Sequence, residues 1–239
     1  MPYLIVGYVS IWLLWMPLRF TTRRKGNKNL STVFKIIPTL LVASVAGWAC
    51  LTYANTDTTS WLLLVGILIG VCADAALEYW MQLGGLLFIV AHCLFIVALM
   101  LLCPPNGWFA LVLAVALLFA VWFLGHYQAR FPDRKLRIGV TLYAVALSAL
   151  LGSALPAPFL VGGIRVLIGA IGAGLFALSD ATLCRNSVEH RIARDCEMAQ
   201  GGLQPETERQ RIIEEYLSLG CYYTAQVAFA ICCIVNLTA

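Results

Sequence analysis

Residues 61–103 read WLLLVGILIGVCADAALEYWMQLGGLLFIVAHCLFIVALMLLC, a stretch with no Lys or Arg and only two acidic residues, Asp74 and Glu78. It divides at Met81-Gln82 into two runs, 61–80 and 83–103. Each run meets the roughly 20 mostly apolar residues that a membrane-spanning helix needs. Strands are excluded for such isolated runs, because an open strand leaves its backbone polar groups unsatisfied in lipid. Two helices joined by a very short turn therefore form a hairpin across the bilayer.

The same test applied outward along the chain finds six more spans, 3–18, 33–54, 107–126, 137–155, 160–184 and 213–236. The fold class is thus all-α, a polytopic membrane protein with eight transmembrane helices in one bundle, and residues 1–239 form a single domain. The basic residues fix the sidedness. Arg19, Arg23, Arg24, Lys25, Lys28 and Lys35 form one cluster, Arg130, Arg134, Lys135 and Arg137 a second, and Arg185, Arg191, Arg194, Arg209 and Arg211 a third. Only Arg165 stands apart. Basic residues beside helix ends stay on the cytoplasmic side. The clusters therefore mark that face, and both termini face away from it.

Composition agrees. The chain is 61% hydrophobic and 12% charged, well below the roughly 25% charged of a soluble domain. Its longest polar stretch, 185–211, is too short to build a core of its own. The first run lacks a basic n-region and a small-residue cleavage site, and reads as a retained helix rather than a signal peptide. Nine cysteines without CxxC spacing, including Cys50, Cys72, Cys93, Cys232 and Cys233 inside apolar runs, read as buried thiols. The net charge of +4 suits a face beside anionic lipid and gives no reason to invoke nucleic acid.

Ionisable groups inside spans are costly and mark function by default. Asp74 lies six residues before the cytoplasmic end of its span, with Glu78 one turn further on. Asp180, preceded by Ser179, lies close to the cytoplasmic end of the seventh span. His92 and Tyr143 are deeper in the fourth and sixth. Tyr222, Tyr223 and Gln226 enter the eighth from the same side, and Lys35 begins the second. At about 1.5 Å rise per residue, all fall in the cytoplasmic half of the bilayer, as a single pocket requires. Plainer readings exist for each. Lys35 and Glu78 can snorkel to the interface, Asp180 can pair with Arg185, and His92 can bond a backbone carbonyl. The tyrosines can be belt residues, and His126 is interfacial. Arg165 reads as snorkelling to the outer surface or meeting a lipid phosphate. Gly66, Gly70 and the glycines of 162–174 read as helix-packing positions.

These residues carry a resemblance. Residues 73–77, ADAAL, resemble the Gly-Asp-x-x-Leu motif of the lysoplasmalogenase family, also called the YhhN or TMEM86 family. Residues 169–183, GAIGAGLFALSDATL, are similar to its glycine-rich helix ending in Phe-x-x-Ser-Asp, and 222–226, YYTAQ, to its Tyr-x-x-x-Gln pattern. Lys35 with Pro38, His92 and Tyr143 match further positions in the same order, across about 33–230. Ala73 replaces the usual glycine, and the connection between the last two spans is longer and more charged than the family's.

The resemblance implies hydrolysis of the vinyl ether bond of a lysophospholipid substrate, releasing a fatty aldehyde and a glycerophospho-ethanolamine or -choline. Membrane lipid is then both solvent and partner, and no cofactor is required. The chemistry needs one acid to protonate carbon and one carboxylate to stabilise an oxocarbenium ion or activate water, a division of labour that glycosidases share. Asp74, the deeper, is expected as the donor and Asp180 as the carboxylate, with the roles exchangeable. His92 is expected to relay a proton or to bind the glycerol hydroxyl. Lys35 is placed for the phosphate, and Tyr143, Tyr223, Gln226, Ser179 and Glu78 for substrate or water. A proton-linked transporter would use the same cluster, although no inverted repeat supports it. A zinc hydrolase is poorly supplied by three histidines without an HxxxH pair.

Overall fold

The computed structural model describes residues 2–53, 56–127, 134–200 and 205–235, with side chains across most of that range but backbone alone over residues 184–200 and 205–211. Every regular element among the described residues is helical. The first span comprises α1 (Pro2–Ser10), a π turn (Ile11–Trp15) and α2 (Met16–Arg24). Then come α3 (Lys28–Thr52), α4 (Thr58–Tyr79), α5 (Met81–Leu102), α6 (Gly107–Tyr127) and α7 (Arg134–Ala154). A single turn, α8 (Ala157–Leu160), precedes α9 (Ile164–Gln200) and α10 (Pro205–Val235). Seven of these helices are long and apolar enough to cross a membrane, and α6 adds an apolar stretch over Gly107–Trp122. The chain is an integral membrane protein with an all-α bundle.

Three expected boundaries move. The first span was expected to stop at Pro17, yet the helix continues to Arg24. Pro17 sits in the first turn after the π turn, where the ladder has already widened and its missing N–H costs little. The polar stretch after 184 was expected as a loop. It is largely a continuation of α9 to Gln200, because Glu, Ala, Arg and Met favour helix. Gly201 and Gly202 follow in the sequence, and Pro205 opens α10, a position that suits proline. The second basic cluster beyond Arg134 and Arg137, the side chains of the third, and that of His126 lie outside the described residues.

Packing explains the order. Asn27 caps α3 by accepting from Leu30 N, and Asp57 caps α4 by accepting from Ser60 N. The α4–α5 hairpin turns within Trp80. A Cβ on Gly84 would lie 2.6 Å from the Leu77 backbone, so only glycine permits that approach. Further along the hairpin, Gly66 receives the Phe95 ring, whose edge would meet a Cβ at 2.4 Å. Helix α10 is the axis of the bundle, with 78% of its span buried, and it packs on α3, α4 and α9. Helix α6 packs on α7 at the periphery and presents Trp108, Leu111, Leu118 and Trp122 outward. Cys50, Cys232 and Cys233 are buried as expected, but Cys72 and Cys93 face out of the bundle.

Candidate functional site

Helices α2, α3, α4 and α10 converge on a ladder of alternating charges. At its buried end, Lys35 Nζ lies 3.2 Å from Asp74 Oδ1 and 3.5 Å from Glu78 Oε1. Glu78 lies 3.4 Å from Arg19 Nη2, which is 2.8 Å from Glu215 Oε1, and Glu215 also pairs with the exposed Arg23. The side chains of Lys35 and Asp74 are 8% and 3% exposed. Asp74 is therefore a carboxylate held in the bundle interior against one ammonium. Thr39 Oγ1 stands 3.5 Å from its other oxygen. Helical spacing builds this face, since Asp74 and Glu78 are one turn apart on α4, as are Lys35 and Thr39 on α3.

A second cluster joins α5, α7 and α9. Tyr143 Oη donates to Asp180 Oδ2 at 2.6 Å, and His92 Nε2 lies 3.4 Å from the same oxygen. His92 Nδ1 sits 2.5 Å from Phe88 O. A carbonyl only accepts, so Nδ1 carries a proton and Nε2 faces Asp180. His92 therefore makes the backbone bond of the plainer reading and also meets Asp180.

An aromatic group links the two clusters. The Phe176 ring lies 4.8 Å from His92, 6.1 Å from Phe88 and 5.4 Å from Tyr222. Tyr222 in turn directs its hydroxyl toward Asp74 and Thr39 without closing a hydrogen bond to either. The residues expected in one pocket thus stand as two polar clusters on either side of Phe176 and Tyr222.

Other expected residues have defined partners. Tyr223 Oη donates to Lys35 O at 2.9 Å and fixes α10 to α3. Ser179 Oγ donates to Ser218 O at 2.8 Å, while Ser218 Oγ donates back to Ser179 O at 3.0 Å, a reciprocal clamp between α9 and α10. The Lys35 ammonium faces two carboxylates rather than standing open to a phosphate. Gln226 is completely buried, and neither of its amide atoms has a hydrogen-bond partner among the described residues.

Sequence reasoning missed several contributors. Arg19 was counted among the basic residues that mark a surface, but it is 3% exposed and bridges Glu78 and Glu215. Arg165 does not snorkel. It forms a bidentate pair with Asp57 at 2.6 and 2.9 Å, donates from Nε to Cys232 O at 2.9 Å, and reaches Ser60 Oγ at 3.0 Å. These bonds tie α4, α9 and α10 at the end opposite the charge ladder. The Arg165 guanidinium holds the Asp57 carboxyl far below the usual carboxylate range.

No curated protein and no solved structure gives a match to this chain. A family model described as the YhhN family matches residues 30–232, a range that holds both acid clusters but not Arg19 and Arg23 of the first span. By that match, which takes in most of the chain, the protein belongs to the YhhN family.

Proposed function

We propose that the protein hydrolyses the vinyl ether bond of lysoplasmalogens. The observation that carries this reading is the His92–Asp180–Tyr143 cluster, an imidazole and a phenol both set against one buried carboxyl beside an aromatic wall. Vinyl ether hydrolysis begins with proton transfer to the β-carbon, which leaves an oxocarbenium ion. Water then bonds to the α-carbon, and the resulting hemiacetal breaks its bond to the glycerol oxygen. Aldehyde and alcohol leave, one water is consumed, and the acid regains its proton.

The geometry favours exchanging the two expected roles. Asp74 already has an ammonium at 3.2 Å and is better suited to remain a carboxylate that offsets the developing cation. Asp180, with Tyr143 on one side and His92 on the other, is the better proton source. Tyr222 and Phe176 present ring surface between them, and aromatic faces attract a cation that has lost its water. Lys35 acts as the charge partner of Asp74. The basic end of the bundle, with Arg19 and Arg134, lies on the cytoplasmic side.

Purified protein in vesicles, supplied with a 1-alkenyl lysophospholipid, should release fatty aldehyde. General acid catalysis contributes about 10²- to 10⁴-fold, so Asp180→Asn should lower turnover by at least about 100-fold. The reaction should also slow in heavy water. Near-normal turnover of Asp180→Asn would refute the assignment. Movement of intact lipid across the vesicle without aldehyde would replace the hydrolase with a transporter.

A further inference from the structure

The His92–Asp180–Tyr143 cluster and the charge ladder leave the Gln226 amide without a task. Gln226 is completely buried on the central helix, and both its amide oxygen and its amide nitrogen lack a partner among the described residues. One turn earlier on the same face, the Tyr222 hydroxyl is equally unpartnered. Both approach Gly70, where α4 presents no side chain. A Cβ added to Gly70 would lie 3.1 Å from Gln226 Nε2 and 3.4 Å from Tyr222 Oη. Asp74, toward which Tyr222 is directed, is one turn from Gly70 on α4.

Burying a primary amide without partners is strongly unfavourable, and more so at membrane depth. Gln226 offers one acceptor and two donors, and Tyr222 one of each. Asp74 adds an acceptor. That set repels an anion at Asp74 and at the amide oxygen, and supplies too few acceptors for a bare cation. It fits a neutral hydroxyl, which both gives and takes hydrogen bonds. We propose that Gln226, Tyr222 and the bare backbone of Gly70 form a hydroxyl-binding site one helical turn from Asp74. Its role rests on the hydrolase reading, in which two hydroxyls occur. One is the attacking water, whose oxygen bonds to the α-carbon as its proton returns to the acid that spent one on the β-carbon, Asp74 remaining a carboxylate. The other is the free glycerol hydroxyl of the lysolipid.

The test has two arms. In the first, lipid-free protein in detergent is melted. Gln226→Met keeps length and bulk but removes the amide, and Tyr222→Phe removes a single oxygen. If a hydroxyl is held there, both variants melt lower than the parent, because they strip its partners away. If the site is dry, removing an unpartnered buried polar group leaves melting unchanged or raises it, and that result overturns the proposal. Tyr222→Phe keeps this arm decisive should Gln226→Met fail to fold. In the second arm, turnover is compared on a 1-alkenyl lysophospholipid and its 2-deoxy analogue. With water as the ligand, Gln226→Met lowers turnover of both by about tenfold or more. With the glycerol hydroxyl as the ligand, the deoxy analogue is the poorer substrate of the parent by about 10²-fold or more, and Gln226→Met erases the difference. Parental turnover of both lipids by Gln226→Met overturns the proposal. Absence of aldehyde from the parent enzyme defeats the hydrolase reading alone, and the melting arm still decides the site.

Discussion

Replacing Lys35 by Met should be more damaging than neutralising its partner, and the difference follows from who else stands nearby. Among the described residues Asp74 has one cation within 4 Å, Lys35 at 3.2 Å. The next, Arg19, is held by Glu78 and Glu215. Lys35→Met therefore leaves a carboxylate, 3% exposed, facing only Thr39 and the Tyr222 hydroxyl. Breaking a buried pair from one side costs about 3–5 kcal/mol. Asp74→Asn is milder. Lys35 keeps Glu78 at 3.5 Å, and the Glu78 side chain is 22% exposed, so its charge retains solvent. The loss is then that of a hydrogen bond to a charged group, about 1.5–3 kcal/mol. The double variant restores neutrality at Asp74 and should be more stable than Lys35→Met alone, with a coupling of at least about 1 kcal/mol. Unfolding of detergent-solubilised protein, followed by loss of helical circular dichroism, measures all four members of the cycle. Lys35→Met melting with the parent, or a double variant whose loss equals the sum of the singles, would show that the two groups do not form the ion pair described.

Three other outcomes are expected. Arg165→Met removes a bidentate pair and leaves Cys232 O without its donor, and should cost about 2–4 kcal/mol, tempered by the partial exposure of Asp57. Because the folded Asp57 pKa is depressed, the parent's advantage is fully present above the unfolded value near 3.9 and is lost only as pH falls through the lower folded value, so melting curves at pH 7 and pH 5 should show the same gap. Gly66→Ala drives a methyl into the Phe95 ring, which is stacked on Phe229 at 4.3 Å and has nowhere to turn, and should lower stability by about 1–3 kcal/mol in the same melting assay. A single cysteine placed at Asn106 in a thiol-free background should react with an impermeant reagent from the side opposite Arg134, and reaction from the Arg134 side would reverse the proposed orientation.

How much of this was legible in the sequence depends on the physics behind each feature. Spans were readable because lipid imposes one length and one composition on every helix that crosses it. The centres of α4, α5 and α7 fall where the hydropathy puts them, whereas the end of α9 does not. Outside the bilayer that constraint lapses, and residues 185–200 follow helix propensity instead. Candidate site residues were readable for a related reason. An Asp or His at membrane depth needs a partner, so Asp74, His92 and Asp180 announced themselves one at a time.

Pairing was not readable, because partners come from helices distant in the chain. Nothing in the local sequence of Arg19 says that it turns inward to Glu78 and Glu215, while Arg23, one turn later, remains exposed. The isolation of Arg165 from every basic cluster was a usable signal, but it pointed to snorkelling or a lipid phosphate, and only the helix order brings α4 and α9 together at that end and sets Asp57 against it. The same limit governs the acid roles. Depth alone made Asp74 the stronger proton donor. Its ammonium partner, contributed by α3, is the ground on which we propose Asp74 as the carboxylate and give the proton to the pair that α5 and α9 build around His92.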